Sequence, residues 1–270
     1  MAKKEEKKVK RKLKLRFKIL LFIIIIIVYA FTIGVKFTFK RDYVITTKKL
    51  SNKYDNFKIL HFSDLHYGST VKKHDLKNLV KKINETNADI VIFTGDLIDK
   101  RYNINDENTD YIKKELSKIE ADYGKYYTEG EEDDNDSNNI LNISGFVNLS
   151  SNEQLIYKDN ENYILLINDN SKEYFENHDD NSYKILVTHN PDDFKSLKKY
   201  NYDMALCGHT HNGQINIYGI RNLFINTKYK KSYQKIGNTK LYINPGIGTS
   251  KINARLFNHP TINLYRFKIN

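Results

Sequence analysis

Met204-Ala205-Leu206-Cys207-Gly208-His209-Thr210-His211 is the stretch on which the fold turns: four apolar residues stop at a glycine and hand over to two histidines. A short uncharged run of this kind reads as a strand buried on both faces. Three more segments repeat the design. Lys58-Ile59-Leu60-His61-Phe62 runs into Ser63-Asp64-Leu65-His66, Ile90-Val91-Ile92-Phe93 into Thr94-Gly95-Asp96, and Lys184-Ile185-Leu186-Val187 into Thr188-His189-Asn190-Pro191. Each strand delivers a carboxylate or an imidazole to the loop after its end, where open α/β sheets gather their ligands.

Between these strands, Leu76, Leu79, Val80 and Ile83 recur at helical spacing within residues 71–86, as do Ile112, Leu116 and Ile119 within residues 110–120. Strand and helix in alternation predict βαβ units and a largely parallel core sheet. Residues 43–47, 145–149, 154–157, 163–167, 214–218, 240–243 and 261–267 read as further strands, and residues 171–176 as a helix. Pro191 suits the first turn of a helix after His189. The acidic, Asn-rich residues 129–139 read as a loop. Neither an internal repeat nor a domain boundary shows after Lys49.

The net charge of +11 invites a nucleic-acid partner until it is located. Residues 1–50 carry 15 of the 44 Lys and Arg but only three of the 33 acids, leaving 29 basic and 30 acidic groups on the remaining 220 residues. A phosphate-backbone binder keeps its positive charge on the folded part, so no nucleic-acid partner is expected. Cys207 is the only cysteine, which excludes a disulfide framework and a cysteine-built zinc cluster. Its place in an apolar run reads as a small buried strand residue.

Residues 19–35 are free of charge and include five consecutive isoleucines, Ile23 to Ile27. With Lys18 and Lys36 able to snorkel, the run predicts a transmembrane helix at the short end of the range. A cleaved signal peptide looks similar, but no small-x-small cleavage site follows, so an uncleaved signal anchor is favoured. Ten Lys and Arg precede the run and five follow it, placing the N-terminus in the cytoplasm and the domain outside. The expected organisation is therefore a basic cytoplasmic segment at 1–18, a single span of the cell membrane at 19–35, a linker at 36–42 and one domain at 43–270.

Asp64-x-His66, Gly95-Asp96, His189 and Gly208-His209-x-His211, in that order, resemble the motifs of the calcineurin-like metallophosphoesterases of the membrane-anchored bacterial type. The resemblance covers the chain from about Tyr43 to its C-terminus. It implies a four-layer α/β/β/α sandwich, here preceded by one N-terminal transmembrane helix. It further implies two divalent metal ions, with Asp64, His66 and His211 on one, His189 and His209 on the other, and Asp96 bridging both. Histidine and carboxylate at short range suit Mn²⁺, Fe or Zn²⁺. Two cations sharing a carboxylate lower the pKa of a water and clamp an in-line displacement at phosphorus. Read as extended chain, His209 and His211 face one side and reach neighbouring metals. Asn212 stands where the family often has Gly, and Asn tolerates positive φ.

One motif departs from the family pattern. Where the family carries Gly-Asn-His followed by an acid, this chain reads Gly130-Glu131-Glu132-Asp133. Glu131 can still ligate the second metal through oxygen. Glu132 takes the catalytic position of the histidine that assists the leaving group, but a carboxylate beside cations stays ionised and cannot donate a proton. The expectation is slow hydrolysis of phosphodiester or pyrophosphate bonds with good leaving groups, the substrate being lipid-linked or envelope-derived. The alternative is a catalytically degenerate relative that binds metal and a partner at the membrane. An anchored nuclease has the right chemistry, but residues 51–270 carry no signal of a basic groove.

Overall fold

Residues 2–150, 153–158, 160–168, 182–194, 201–217 and 225–270 are described by a computed structural model. Their strands form two six-stranded sheets. In spatial order the first contains β1 (Phe39–Thr47), β12 (Thr261–Ile269), β2 (Lys58–Phe62), β3 (Ile90–Phe93), β4 (Lys125–Tyr127) and β5 (Phe146–Asn148). All neighbours are parallel except β12 and β2. The second runs β10 (Tyr233–Ile236), β11 (Thr239–Ile243), β9 (Met204–Cys207), β8 (Ser182–Val187), β7 (Tyr163–Ile167) and β6 (Gln154–Tyr157). Only its two outer pairs are antiparallel.

The pleat sorts the apolar residues into layers. Leu60, Phe62, Val91 and Phe93 face the helices α2 (Lys73–Asn84), α3 (Asp106–Leu116) and α4 (Asn135–Ile143), meeting Leu76, Leu79, Ile112, Leu116 and Ile140. Their strand neighbours Ile59, Ile90 and Ile92 point into the gap between the sheets and pack on Leu166, Ile185, Val187, Met204 and Leu206. Burial on both faces is why β3 and β9 carry no polar side chain. Beyond the second sheet, Phe194, Tyr202 and Tyr229 cover Leu165, Leu186, Ala205 and Cys207. The helix expected at 171–176 and the continuation of the one after Pro191 lie outside the described residues. Three of the four expected layers are thus in view.

Several boundaries differ from expectation. The loop read at 129–139 contains the start of α4, whose N-cap Asp134 accepts the Ser137 N–H. Ile140 and Leu141 then anchor it to the first sheet. α3 begins at Asp106 because Asn105 caps it by accepting the Asn108 N–H. Residues 214–217 of the strand expected at 214–218 do not pair as one. Gln214 has φ +52, and Ile215 makes only an isolated bridge to Leu256. β10 was not expected; its alternating exposure leaves it no continuous apolar run.

The expected span at 19–35 is also corrected. α1 is a helix over Ala2–Phe31, and among the described residues no helix is long and apolar enough to cross a membrane. Only residues 19–31 of the charge-free run are helical, about 20 Å at ~1.5 Å per residue against a hydrocarbon core of about 30 Å. Beyond Phe31 the chain turns, with Gly34 N–H donating to Tyr29 O. The end of α1 is fastened to the domain: Arg255 N–H donates to Ala30 O at 2.9 Å, and Ile26, Tyr29 and Ala30 pack on Ile215, Ile217, Ala254 and Leu256.

Candidate metal centre

β2 and β3 in one sheet and β8 and β9 in the other end at the same place, so their loops meet across the gap between the sheets. The loop after β11 stitches them together. Asn244 N–H donates to Cys207 O and its side chain to His61 O, while Ile247 and Gly248 N–H groups donate to Asp64 O. The backbone here is forced. Asp64, His66, Asp96, His209, His211, Asn212 and Gln214 all have positive φ, and such conformations persist only where the surroundings over-determine them. That geometry corrects the extended reading of residues 209–211: the turn swings the two imidazoles apart. His211 is buried beside Asp64 and His66, whereas His209 stays on the rim next to His189.

Asp64, His66 and His211 bring one ligand atom each into a common cluster, and Asp64, Asp96 and His189 form a second. The Asp96 carboxylate lies between them. Its Oδ2 is 3.6 Å from His66 Nε2 and 3.3 Å from His189 Nε2, while Oδ1 accepts the Glu132 N–H at 2.9 Å. Asp64 is fully buried and accepts the His209 N–H with both oxygens. His66 Nε2 and His211 Nε2 face each other at 3.1 Å.

His189 tests whether a cation fits here. Its Nδ1 sits 2.6 Å from Thr94 O, which accepts and so places the ring proton on Nδ1. Nε2 then offers a lone pair, is buried and makes no hydrogen bond, yet faces a carboxylate. Two acceptors held 3.3 Å apart need a positive charge between them. In the metal-free protein a proton meets that need. Burial opposes it, but the Asp96 carboxylate 3.3 Å away prevails and pushes the His189 pKa up to about 10. Asp96, which burial alone would raise, is held below the usual carboxylate range by His189 and His66. Asp64 is shifted upward, chiefly by burial. The donor set therefore fits divalent metal on each side of Asp96.

Of the residues expected at the site, Asp64, His66, Asp96, His189 and His211 converge. His209 and Glu131 lie at its mouth: His209 Nδ1 is 3.7 Å from Glu131 Oε1, and Asn190 donates to the same oxygen at 3.2 Å. Glu132 also lines the cleft, its Oε2 3.2 Å from His66 Nδ1 and accepting the Lys100 N–H at 3.1 Å. Lys100 Nζ adds an ion pair at 3.3 Å. Burial works against ionisation of Glu132, but His66 and the Lys100 amide outweigh it and bring its pKa to about 2.

Three supporting groups were not anticipated. Asp133 accepts the N–H groups of Asp96, Leu97 and Gly130 at 2.7 to 2.8 Å, clipping the two acidic loops together. Asp99 is paired with Arg101. Arg255 is fully buried behind Asp64 and donates to Gly248 O and Pro245 O. For Arg255 the available signal was the turn cluster Asn244-Pro245-Gly246-Ile247-Gly248 after an apolar strand, which supplies its acceptors. A cleft of about 740 Å³ opens over the centre, with Asp96, His209 and His211 on one side and Lys100, Arg101, Lys251 and Ile252 among its other walls.

The chain belongs to the calcineurin-like phosphoesterase family, whose model matches residues 57–213. It is similar to the uncharacterized metallophosphoesterase YkuE of Bacillus subtilis, with 27% identity over 84% of each chain. An uncharacterized metallophosphoesterase of Aquifex aeolicus is 26% identical over 84% of this chain and 90% of its own. A transmembrane protein with a metallophosphoesterase domain from Danio rerio shares 28% identity over 34% of this chain and 20% of its own length.

Proposed function

We propose that the chain is a phosphoric ester hydrolase that cleaves a phosphodiester or pyrophosphate bond with a good leaving group. One observation carries this: the Asp96 carboxylate stands between the Nε2 atoms of His66 and His189, with a donor cluster suited to a cation on either flank. Asp64, His66 and His211 would hold one divalent ion and His189 the other, with His209 and Glu131 within reach of the second and Asp96 shared. When bound, such a pair supplies polarisation of a phosphoryl oxygen and an acidified water. The chain's own residues shape the rest. Glu132 is ionised and committed to His66 and Lys100, so it has no proton for a departing alkoxide. Aryl and phosphoryl leaving groups need none.

The test is hydrolysis of a bis-aryl phosphate with Mn²⁺. Asp96→Ala should abolish it, and an alkyl phosphodiester should react far more slowly; equal rates on both would remove the missing-acid account. The second reading, a metal-binding relative without turnover, draws on Glu131 and Glu132 standing in the motif. Absence of any metal-dependent hydrolysis in a metal-loaded chain would decide for it.

Contact with a membrane belongs to the same proposal. Residues 19–25 of α1 are apolar and exposed, behind ten Lys and Arg, a composition that favours an anionic lipid surface. The cleft's Ile215 packs against the base of this helix, which suits a lipid-linked substrate. Flotation of the full chain with phosphatidylglycerol vesicles but not phosphatidylcholine vesicles is expected, and no flotation with either refutes it.

A further inference from the structure

We infer that Glu132 is a positioning residue for the metal centre: its carboxylate holds the His66 ring by Nδ1 so that Nε2 is presented to the metal. The inference rests on the metal-binding part of the proposed function. It concerns a residue that replaces the family's histidine, so the family offers no role for it.

The geometry leaves His66 little else to orient it. Nε2 points into the cluster with Asp64 and His211, and the ring is buried. Nδ1 is buried too and has no well-formed hydrogen bond, its near neighbour being Glu132 Oε2 at 3.2 Å. A ligating imidazole needs its proton on the far nitrogen, and a carboxylate there fixes that tautomer and raises the basicity of the ligating nitrogen. Glu132 is itself held in place from both ends. Its own N–H donates to Asp96 Oδ1, and its Oε2 receives the Lys100 N–H. One residue thus contacts two of the ligands, through its backbone and through its side chain.

Asp99 lies near the same ring, and His66, Asp99 and Glu132 could by distance hold a cation of their own. Their partners argue against it. Asp99 is paired with Arg101 and Glu132 with Lys100, so both carboxylates already face a fixed positive charge. The cluster supports His66 and does not form a third metal site.

The experiment is calorimetric titration of the metal-free full chain with Zn²⁺, together with a long-range ¹H–¹⁵N spectrum of the imidazoles in the zinc-loaded protein. Glu132→Ala should weaken zinc binding about 10- to 100-fold and expose the His66 Nδ1 proton to rapid exchange. Glu132→Gln keeps an acceptor without the charge and should lose less, retaining the proton signal. Should Glu132→Ala fail to fold, the Gln variant carries the test through its affinity. Zinc affinities within about twofold of wild type in the folded variants, with the Nδ1 proton undisturbed, overturn the inference. Wild-type chain that binds zinc in this manner yet hydrolyses nothing overturns the proposed activity alone. Wild-type chain that takes up no zinc overturns both.

Discussion

Gly130→Ala is the smallest change that should disable the centre without replacing a ligand. Gly130 lies against the backbone of Asp96, and a Cβ built on it would stand 2.5 Å from the Asp96 nitrogen and closer still to Oδ1. Ordinary contact begins near 3.4 Å, so the two loops must part by about 1 Å. Rotating the Asp96 side chain cannot relieve this, because its main-chain nitrogen obstructs as well. The loops are also pinned by Asp133, which accepts from Asp96, Leu97 and Gly130 together, so separation strains those bonds as well. A misplacement of about 1 Å near a reacting centre costs roughly 100-fold in rate, or about 3 kcal/mol of transition-state stabilisation. The assay is kcat/KM on bis-aryl phosphate at saturating Mn²⁺, with metal content measured by mass spectrometry and folding by thermal melt. A fall of two orders of magnitude in a folded protein is expected. Unchanged rate and unchanged metal content would show that Asp96 is not seated by this contact.

Metal binding should expel a proton from His189, since Asp96 holds it there up to a pKa of about 10 in the metal-free protein. Below that value proton and metal compete, so zinc affinity should rise about tenfold per pH unit between pH 6 and 9; an affinity independent of pH would contradict the assignment. His61 should make the fold acid-sensitive. It is fully buried, hydrogen-bonded to Thr94, and burial lowers its pKa to about 3. The unfolded chain binds this proton more readily, so its stabilising contribution is complete above pH 6.5 and is lost as pH falls toward 3. Denaturant titrations of wild type between pH 6 and 4 should decline by about 1.4 kcal/mol per unit more than those of His61→Gln, and parallel slopes would refute this. Lys100→Ala removes the ion pair to Glu132 but leaves the amide donor, so Zn²⁺ affinity in a direct titration should fall by less than in Glu132→Ala.

The ligands were legible because each follows a short apolar strand: Ile90 to Phe93 is β-branched or aromatic and apolar throughout, bounded by a turn signal at Gly95, and Asp96 follows its end. What supports them was not. Asp133 and Glu132 acquire their roles through turns at Asp64, His66 and Asp96 whose positive φ values no local pattern announces. The Asn-rich stretch concealed α4, since its apolar contacts Ile140 and Leu141 lie beyond the acidic run that dominates the eye. Hydropathy located the apolar segment of α1 but not its end. That end is set by tertiary packing of Ala30 and Gly34 on Arg255, a residue whose burial runs against every composition rule.

β12 enters the first sheet between β1 and β2. During synthesis, β2 and the ligands at its tip must therefore wait beside an open edge until Thr261–Ile269 has been made, and β1, whose only sheet neighbour among the described residues is β12, waits with it. β12 works as a bolt. A premature stop inside Thr261–Ile269 would strip β1 of its pairing partner as surely as it would loosen Asp64 and His66.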